Sequence, residues 1–424
     1  MLEKVPFLYK TAVKLLNSFR LLMAFPIMWN TRKKKDHHGK IKVVFYSQMS
    51  TLWTNDEEIY RDMLKDERFE VYILAFPESD YTNINFHPEH MQFHAYQYHV
   101  EKGHQNVINA YENGEWFDLR SLQPDYVFFE RPYNEYIPEA YRIKNVVKYA
   151  RTCYFPYAYV MMECLFEDTL NVDFFRYLHI FFADSYVSER FHKKRMKLSH
   201  ALGLRKTVLT NHPVFLNVLN AKHMPNPFWD NEPQTRVIWA PRWTIDSQLG
   251  GSNFLNYKDQ IVTFFKNHKE MSLVFRPHPL TFMNFISKGW MTKEEADSYL
   301  AQFHNSSNLH YDDTAEFFST FWGSDVFVGD ISSVIPYYFI TGKPLIYCHT
   351  QGYQGKNQIL KKLIEASYQA YSWADVEKYL IMLERKEDPL QEKRIKLRDE
   401  LFNEREIQSV PERIIAELVE NHRY

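Results

Sequence analysis

The chain predicts an α/β protein built on two parallel sheets, each covered on both faces. Three observations carry that prediction. Apolar runs of strand length alternate with helical patterns, these runs fall into two sets on either side of a proline-broken stretch, and 424 residues, 45% of them hydrophobic, suffice for two cores. Neither half is of low complexity.

The first set of strands reads Ile41-Lys42-Val43-Val44-Phe45-Tyr46, Phe69-Glu70-Val71-Tyr72-Ile73-Leu74, Tyr126-Val127-Phe128-Phe129 and His179-Ile180-Phe181-Phe182. A further strand ends at Cys153-Tyr154-Phe155, and helical patterns cover 55–66 and 134–150. The second set begins at Val237-Ile238-Trp239, continues at Leu273-Val274-Phe275 and Val326-Phe327-Val328, and ends at Leu345-Ile346-Tyr347. Its helices lie near 257–268, 293–303 and 314–322, and a helical tail runs over 373–422. The linker falls between 218 and 235, where Pro225, Pro227 and Asn231-Glu232-Pro233 break the pattern.

Two turns carry chemistry. After Val326-Phe327-Val328 comes Gly329-Asp330-Ile331-Ser332-Ser333 and then a short helix, which places two hydroxyls and several backbone N–H groups at a helix start. Unpaired first-turn N–H groups and the helix dipole favour an anion there, at the carboxyl end of a strand where α/β sheets bind ligands. Ser332 and Ser333 also suit a plain N-cap, which is compatible with holding phosphate. Asp330 either meets ligand or fixes the turn by accepting backbone N–H bonds. Upstream, Ser272-Leu273-Val274-Phe275 ends in Arg276-Pro277-His278-Pro279, where prolines stop the strand as Arg276 and His278 project. Arginine brings a planar donor fork, and histidine titrates near neutrality. Arg242 follows the strand end Ile238-Trp239-Ala240-Pro241 and suits phosphate or a surface ion pair.

Gly is scarce, 12 residues, and the chain has neither a GxGxxG fingerprint nor a GxxxxGK[ST] loop, so phosphate must be held by a helix start and side chains. Three cysteines, Cys153, Cys164 and Cys348, are too few and too scattered for a disulfide framework or thiolate zinc, and imply a reducing setting. His87, His90, His94, His99 and His104 cluster, but Gln92 to His99 alternates like a strand or irregular loop and no carboxylate completes a ligand set, so no metal is assigned.

Charge is unevenly spread. Residues 1–42 hold ten basic and two acidic residues, a net +8, within a chain of net −2. The basic residues lie among and after apolar ones. The longest uncharged apolar run, 21–29, falls well short of the about 20 residues a spanning helix needs. The segment reads as an interfacial amphipathic helix with a polybasic stripe, Arg32-Lys33-Lys34-Lys35, or else as a helix packed on its own domain. No small-residue cleavage site follows it, and nothing elsewhere suggests nucleic acid.

On these turns the sequence resembles the CDP-glycerol glycerophosphotransferase family, which includes teichoic acid primases and polymerases. The family shows a strand ending in Lys/Arg-x-His-Pro, then Asp-Tyr-Ser-Ser, a helix and a Lys/Arg-Pro-Ile strand. Here these are Arg276-Pro277-His278-Pro279, Asp330-Ile331-Ser332-Ser333 and Lys343-Pro344-Leu345-Ile346. Weaker matches are Ala240-Pro241-Arg242-Trp243 and Asn211-His212-Pro213, and the likeness covers roughly 145–370. The family's His-Gly-Thr turn, whose His is thought to activate the acceptor hydroxyl, has no counterpart. Its place falls at Pro156-Tyr157-Ala158, leaving Tyr157 as substitute, though an ordinary phenol with a pKa near ~10 is a poor base.

The resemblance implies a GT-B-like fold: two doubly wound, Rossmann-like domains facing across a cleft. With the basic amphipathic segment at 1–40 read from its charge pattern as a membrane-association segment, the remaining divisions would be an acceptor-side domain at 41–220, a CDP-donor domain at 235–390, and helices at 391–424 packing back on the first domain. It also implies transfer of glycerol phosphate, or a related polyol phosphate, from a CDP-activated donor to an acceptor hydroxyl with release of CMP, in teichoic-acid-like or capsular polymer synthesis. His278, Tyr157 and Asp330 are the catalytic candidates; Arg242, Arg276, His278, Asp330, Ser332 and Ser333 the donor-binding ones. Mg2+ is left open, since no paired-carboxylate motif is visible. Expected partners are CDP-glycerol or another CDP-polyol, a polymer or lipid-linked acceptor, and the anionic inner face of the cell membrane. A sugar-nucleotide glycosyltransferase or epimerase of the same fold, and a non-catalytic membrane-surface binding protein, are the alternatives.

Overall fold

The computed structural model describes residues 6–33, 39–79, 91–133, 136–161, 173–229, 235–245, 251–304, 306–314, 317–350, 355 and 357–422. His87, His90, Lys34, Lys35, Asn134, Cys164 and Asn231-Glu232-Pro233 lie outside these residues. The chain forms two α/β units: Met1–Val160 with Cys164–Val214 and Glu406–Tyr424, and Met161–Glu163 with Phe215–Arg405.

The strands are β1 (Ile41–Ser47), β2 (Phe69–Ala75), β3 (Val107–Asn109), β4 (Tyr111–Glu112), β5 (Glu115–Trp116), β6 (Tyr126–Phe128), β7 (Arg151–Tyr154), β8 (Ile180–Ala183) and β9 (Lys206–Leu209) in the first unit. In the second they are β10 (Thr235–Ala240), β11 (Met271–Phe275), β12 (Leu309–Tyr311), β13 (Val326–Gly329), β14 (Leu345–Cys348) and β15 (Tyr368–Ala370). The first sheet is seven-stranded in the order β3-β2-β1-β6-β7-β8-β9, with β4-β5 a separate hairpin, and the second is six-stranded in the order β12-β11-β10-β13-β14-β15. Every pairing within the two main sheets is parallel.

Parallel sheets need cover on both faces, and the period-two alternation of strand side chains supplies it. In β1, Val43 and Phe45 join one cluster with Ile59, Met63, Ile414 and Leu418, while Val44 and Tyr46 join another with Ile143, Val146, Phe174 and Met196. In the second unit Trp239 stacks on Phe254 at 5.6 Å, and Phe275 packs among Phe254, Tyr299 and Phe303.

Local elements depart from expectation in instructive ways. The stretch 134–150, expected as one helix, yields only a 3-10 turn at Glu139–Tyr141 and a helix at Ile143–Val146. Extended backbone at Pro138 and again at Arg142 interrupts it. The alternating stretch expected as strand or loop is instead a helix, His94–Glu101, whose buried positions Ala95 and His99 are four residues apart. The helix Val214–Asn220 overlaps the start of the expected linker, and the chain changes unit ahead of that linker, between Val214 and Phe215.

The tail expected to return as one piece divides. Helix Gln391–Leu401 belongs to the second unit, where Arg394, 1% exposed, donates to Gly342 O at 2.9 Å and pairs with Asp388. Helix Val410–His422 belongs to the first, where Tyr126 Oη donates to Leu418 O at 2.9 Å and Lys206 pairs with Glu417 at 2.6 Å.

The amino-terminal helix, Pro6–Lys33, packs one face on the first unit: Ala24, Met28 and Thr31 are buried, and Thr31 Oγ1 donates to Val147 O. No helix among the described residues is long and apolar enough to cross a membrane.

Candidate functional site

In the second sheet β10 lies between β11 and β13, its sequence successor on one side and the return strand on the other. That reversal is where open α/β sheets bind ligands, beyond the strand carboxyl ends. Register places the ends level: Trp239 pairs with Phe275, and Ala240 with Gly329. The turns carrying Arg242, Arg276 with His278, and Asp330 with Ser332 and Ser333 therefore emerge side by side. Gly329 is required by this crowding, since a Cβ there would lie 2.9 Å from Ala240 O.

Asp330 is the latch of the edge. It is 1% exposed, and its Oδ1 accepts from the Arg242 N–H at 2.6 Å while Oδ2 accepts from the Asn253 N–H at 2.8 Å. Burial raises its pKa to about 7 against the opposing pull of those N–H groups and the Arg242 guanidinium. Of its two sequence readings, the geometry displays turn fixation.

His278 sits beyond β11 with Trp243 at 5.6 Å between ring centroids. Part of the ring meets solvent, yet its crowded side is desolvated, and this, followed by the nearby Arg242 and Arg276 charges, lowers its pKa to about 4. The ring is thus neutral near pH 7. Its Nδ1 accepts from the Leu280 N–H at 3.1 Å, which puts the single proton on Nε2 as a donor.

Arg276 lies on the Phe317 ring at 4.0 Å, pairs with buried Asp312 at 2.8 Å and donates to Thr314 O at 2.8 Å. Arg242 is 8% exposed, its Nη1 3.5 Å from Ile331 O. Ser333 stands at the start of helix Val334–Phe339 in helical geometry and makes no side-chain cap bond; Ser332 Oγ accepts from the Val334 N–H at 3.5 Å, the outer limit of such a bond. The hydroxyls are half-buried at Ser332 and exposed at Ser333, so neither is consumed in capping. The oxygens of Asp330 and Asp312 are engaged by N–H and guanidinium donors. Lys343 is placed elsewhere, its ammonium on Trp322 O and Ser324 O.

The first unit repeats the device with residues the sequence did not single out. Here β1 lies between β2 and β6, and Glu130, just past β6, accepts from the Gln48 N–H at 3.0 Å and the Met49 N–H at 3.2 Å beyond β1. Burial raises its pKa to about 8, with Arg131 opposing. A carboxylate directly after an apolar strand is the shared signal of Glu130 and Asp330. Tyr157 belongs to this unit, its hydroxyl 3.0 Å from that of Tyr133.

Two of the clustered histidines form a buried array. Ser47 Oγ meets His99 Nε2 at 2.8 Å, His99 Nδ1 meets His104 Nδ1 at 2.8 Å, and His104 Nε2 meets Glu57 at 3.3 Å. Among the described residues, no group of three or more His, Cys, Asp or Glu side chains is placed to hold a metal ion.

No family model matches the chain, and no curated protein matches its sequence. Solved structures do. The UDP-GlcNAc 2-epimerase from Neisseria meningitidis, bound to UDP-GlcNAc, superposes with a TM-score of 0.56 at 13% identity, covering 90% of this chain and 99% of that one. Another UDP-N-acetylglucosamine 2-epimerase gives 0.56 at 11%, covering 90% and 95%. The wall teichoic acid polymerase TagF gives 0.56 at 12%, covering 97% of this chain and 99% of that one. The likeness is one of fold: this chain has a GT-B-like fold with two parallel-sheet α/β units.

Proposed function

We propose that the chain is a transferase that uses a nucleotide-activated donor, and that it moves glycerol phosphate, or a related polyol phosphate, from a CDP-activated donor to an acceptor hydroxyl, releasing CMP. The reaction would serve the synthesis of a teichoic-acid-like or capsular polymer. The observation that carries this reading is the convergence of three strand-end turns on one sheet edge, with Arg242, Arg276, His278, Ser332 and Ser333 as donors around a turn latched by Asp330.

In the proposed reaction the acceptor oxygen bonds to the phosphorus that bears glycerol, the bond from that phosphorus to the CMP oxygen breaks, and the acceptor hydroxyl loses its proton. Phosphoryl-type transition states chiefly need oxygens held in place and neutralised. A neutral His278 would donate from Nε2 to the leaving phosphate, the two guanidiniums would supply fixed charge, and the serine hydroxyls would add donors at the helix start. Tyr157 remains the acceptor-side residue that the sequence resemblance proposes, and the first unit the acceptor-side unit.

A second reading has its own support. Two of the structures similar to this chain are UDP-N-acetylglucosamine 2-epimerases, and the same turns would suit a sugar nucleotide. Incubating the purified chain with CDP-glycerol, CDP-ribitol and UDP-sugars separates the readings. CMP release with an acceptor present supports the phosphotransferase; UDP release or sugar epimerisation supports the second reading; no turnover, with binding retained, supports the non-catalytic alternative.

A further inference from the structure

The helix Pro6–Lys33 has two apolar faces. Ala24, Met28 and Thr31 lie on one, buried against the first unit, where Ile27 and Val147 pack and the His179 ring approaches Met28 O at 3.4 Å. At 3.6 residues per turn the opposite side presents Leu16, Phe19, Leu22, Met23 and Trp29. These are 44% to 61% exposed. A helix apolar on both sides is ordinarily covered on both, and contiguous exposed apolar surface marks an interaction site.

We infer that this outer face seats on an anionic lipid bilayer and thereby fixes the first unit on the membrane surface in one orientation. Charge chooses this occupant. Arg20 stands exposed at the flank of the face, and residues 1–42 carry a net +8 within a chain of net −2. A two-fold dimer through this face would bring two such segments together, like against like, whereas an anionic leaflet is complementary to it. Because the inner face is packed on the domain, the helix is part of the fold and not a detachable anchor. Membrane binding is therefore a rigid docking of the unit, and it is independent of the proposed chemistry.

The test uses the full chain and vesicles of phosphatidylcholine with or without phosphatidylglycerol, in flotation at rising salt. The wild type should float with the anionic vesicles and lose them as salt increases. The double variant Phe19→Asp/Met23→Asp, which alters only exposed positions, should melt as the wild type does and bind at least about tenfold less, since each change removes a large apolar side chain from the inserted face. Equal flotation of variant and wild type, absence of wild-type binding, or a concentration-dependent dimer that the variant abolishes would each overturn the inference.

Discussion

Replacing Asp330 by Asn separates two opposing terms at the latched turn. Either oxygen of the carboxyl group, protonated or not, can turn a lone pair to an N–H, whereas an amide sets an NH2 against the Arg242 or the Asn253 N–H, at a cost of about 1–3 kcal/mol. Against this, the amide removes a buried charge. With a folded pKa of about 7, the folded protein holds the Asp330 proton that an unfolded carboxyl releases near pH ~4. The sign follows directly. The folded state binds more protons between those values, so the wild type's stability is full below pH ~4 and falls as pH rises through about 7, by up to about 4 kcal/mol from this group. The variant has no such term. Asp330→Asn should therefore be less stable than wild type by about 1–3 kcal/mol near pH 4.5 and draw level or overtake it by pH 8. Urea unfolding of the full chain, followed by tryptophan fluorescence across that range, reads the difference. A stability gap that stays flat with pH would refute the account of Asp330 as a buried, proton-holding latch.

His278→Ala should lower kcat in the CMP-release assay by about 10² while leaving the melting temperature intact, because the ring is peripheral to packing but supplies the Nε2 donor; near-normal turnover would remove His278 from the mechanism. Replacing Ser332 and Ser333 together by Ala should weaken CMP and CDP binding in calorimetry more than acceptor binding, with the fold retained since neither hydroxyl is spent on capping. Equal loss of both ligands would indicate a collapsed turn. Arg394→Ala should destabilise the second unit by about 3–5 kcal/mol, since it leaves Asp388 without its buried partner and empties the largest side chain of that contact; a change under about 1 kcal/mol would show that the pair contributes little.

What was legible in the sequence follows from how each element is held. Strands buried on both faces declare themselves as apolar runs, and β1, β2, β6, β8, β10, β11, β13 and β14 stand within a residue or two of expectation. In the two main sheets the strands not anticipated, β3, β9, β12 and β15, are the outermost; they are only three or four residues long, so no long apolar run marks them, and the two-residue strands of the β4-β5 hairpin escape notice for the same reason. The helix His94–Glu101 hid behind an accidental period of two. At the site, the Arg276-Pro277-His278 and Asp330–Ser333 turns were legible because prolines and a Gly-Asp-x-Ser-Ser sequence punctuate strand ends. Glu130 and the Ser47–His99–His104 array were not, since they join residues 82 and 52 apart in sequence, and only the fold brings them together.

The two latches suggest why each sheet edge is built as it is. A loop leaving the first strand of a doubly wound sheet must keep its backbone N–H groups satisfied where the sheet's own ladder has ended. In both units a carboxylate from the neighbouring return strand meets that need: Glu130 for Gln48 and Met49, Asp330 for Arg242 and Asn253. Both carboxyls are buried and both titrate upward, so each latch keeps its proton in mildly acidic solution and becomes a buried charge only as pH rises through about 7 at Asp330 and about 8 at Glu130. What distinguishes the edges is the company the latch keeps. Around Asp330 stand two guanidiniums, an imidazole and two unspent hydroxyls, a set of donors and positive charge suited to pyrophosphate. Around Glu130 stand Gln48, Tyr136 and Arg131, whose guanidinium already rests on the Tyr136 ring at 4.3 Å and donates to Gln48 Oε1 at 3.1 Å. Arg276 is likewise engaged, on the Phe317 ring, Asp312 and Thr314 O, so both edges hold a guanidinium in place. What the second edge adds is a neutral imidazole with an Nε2 donor and two serine hydroxyls at a helix start, and this contrast is the ground for proposing that the phosphorylated donor binds at the Asp330 edge.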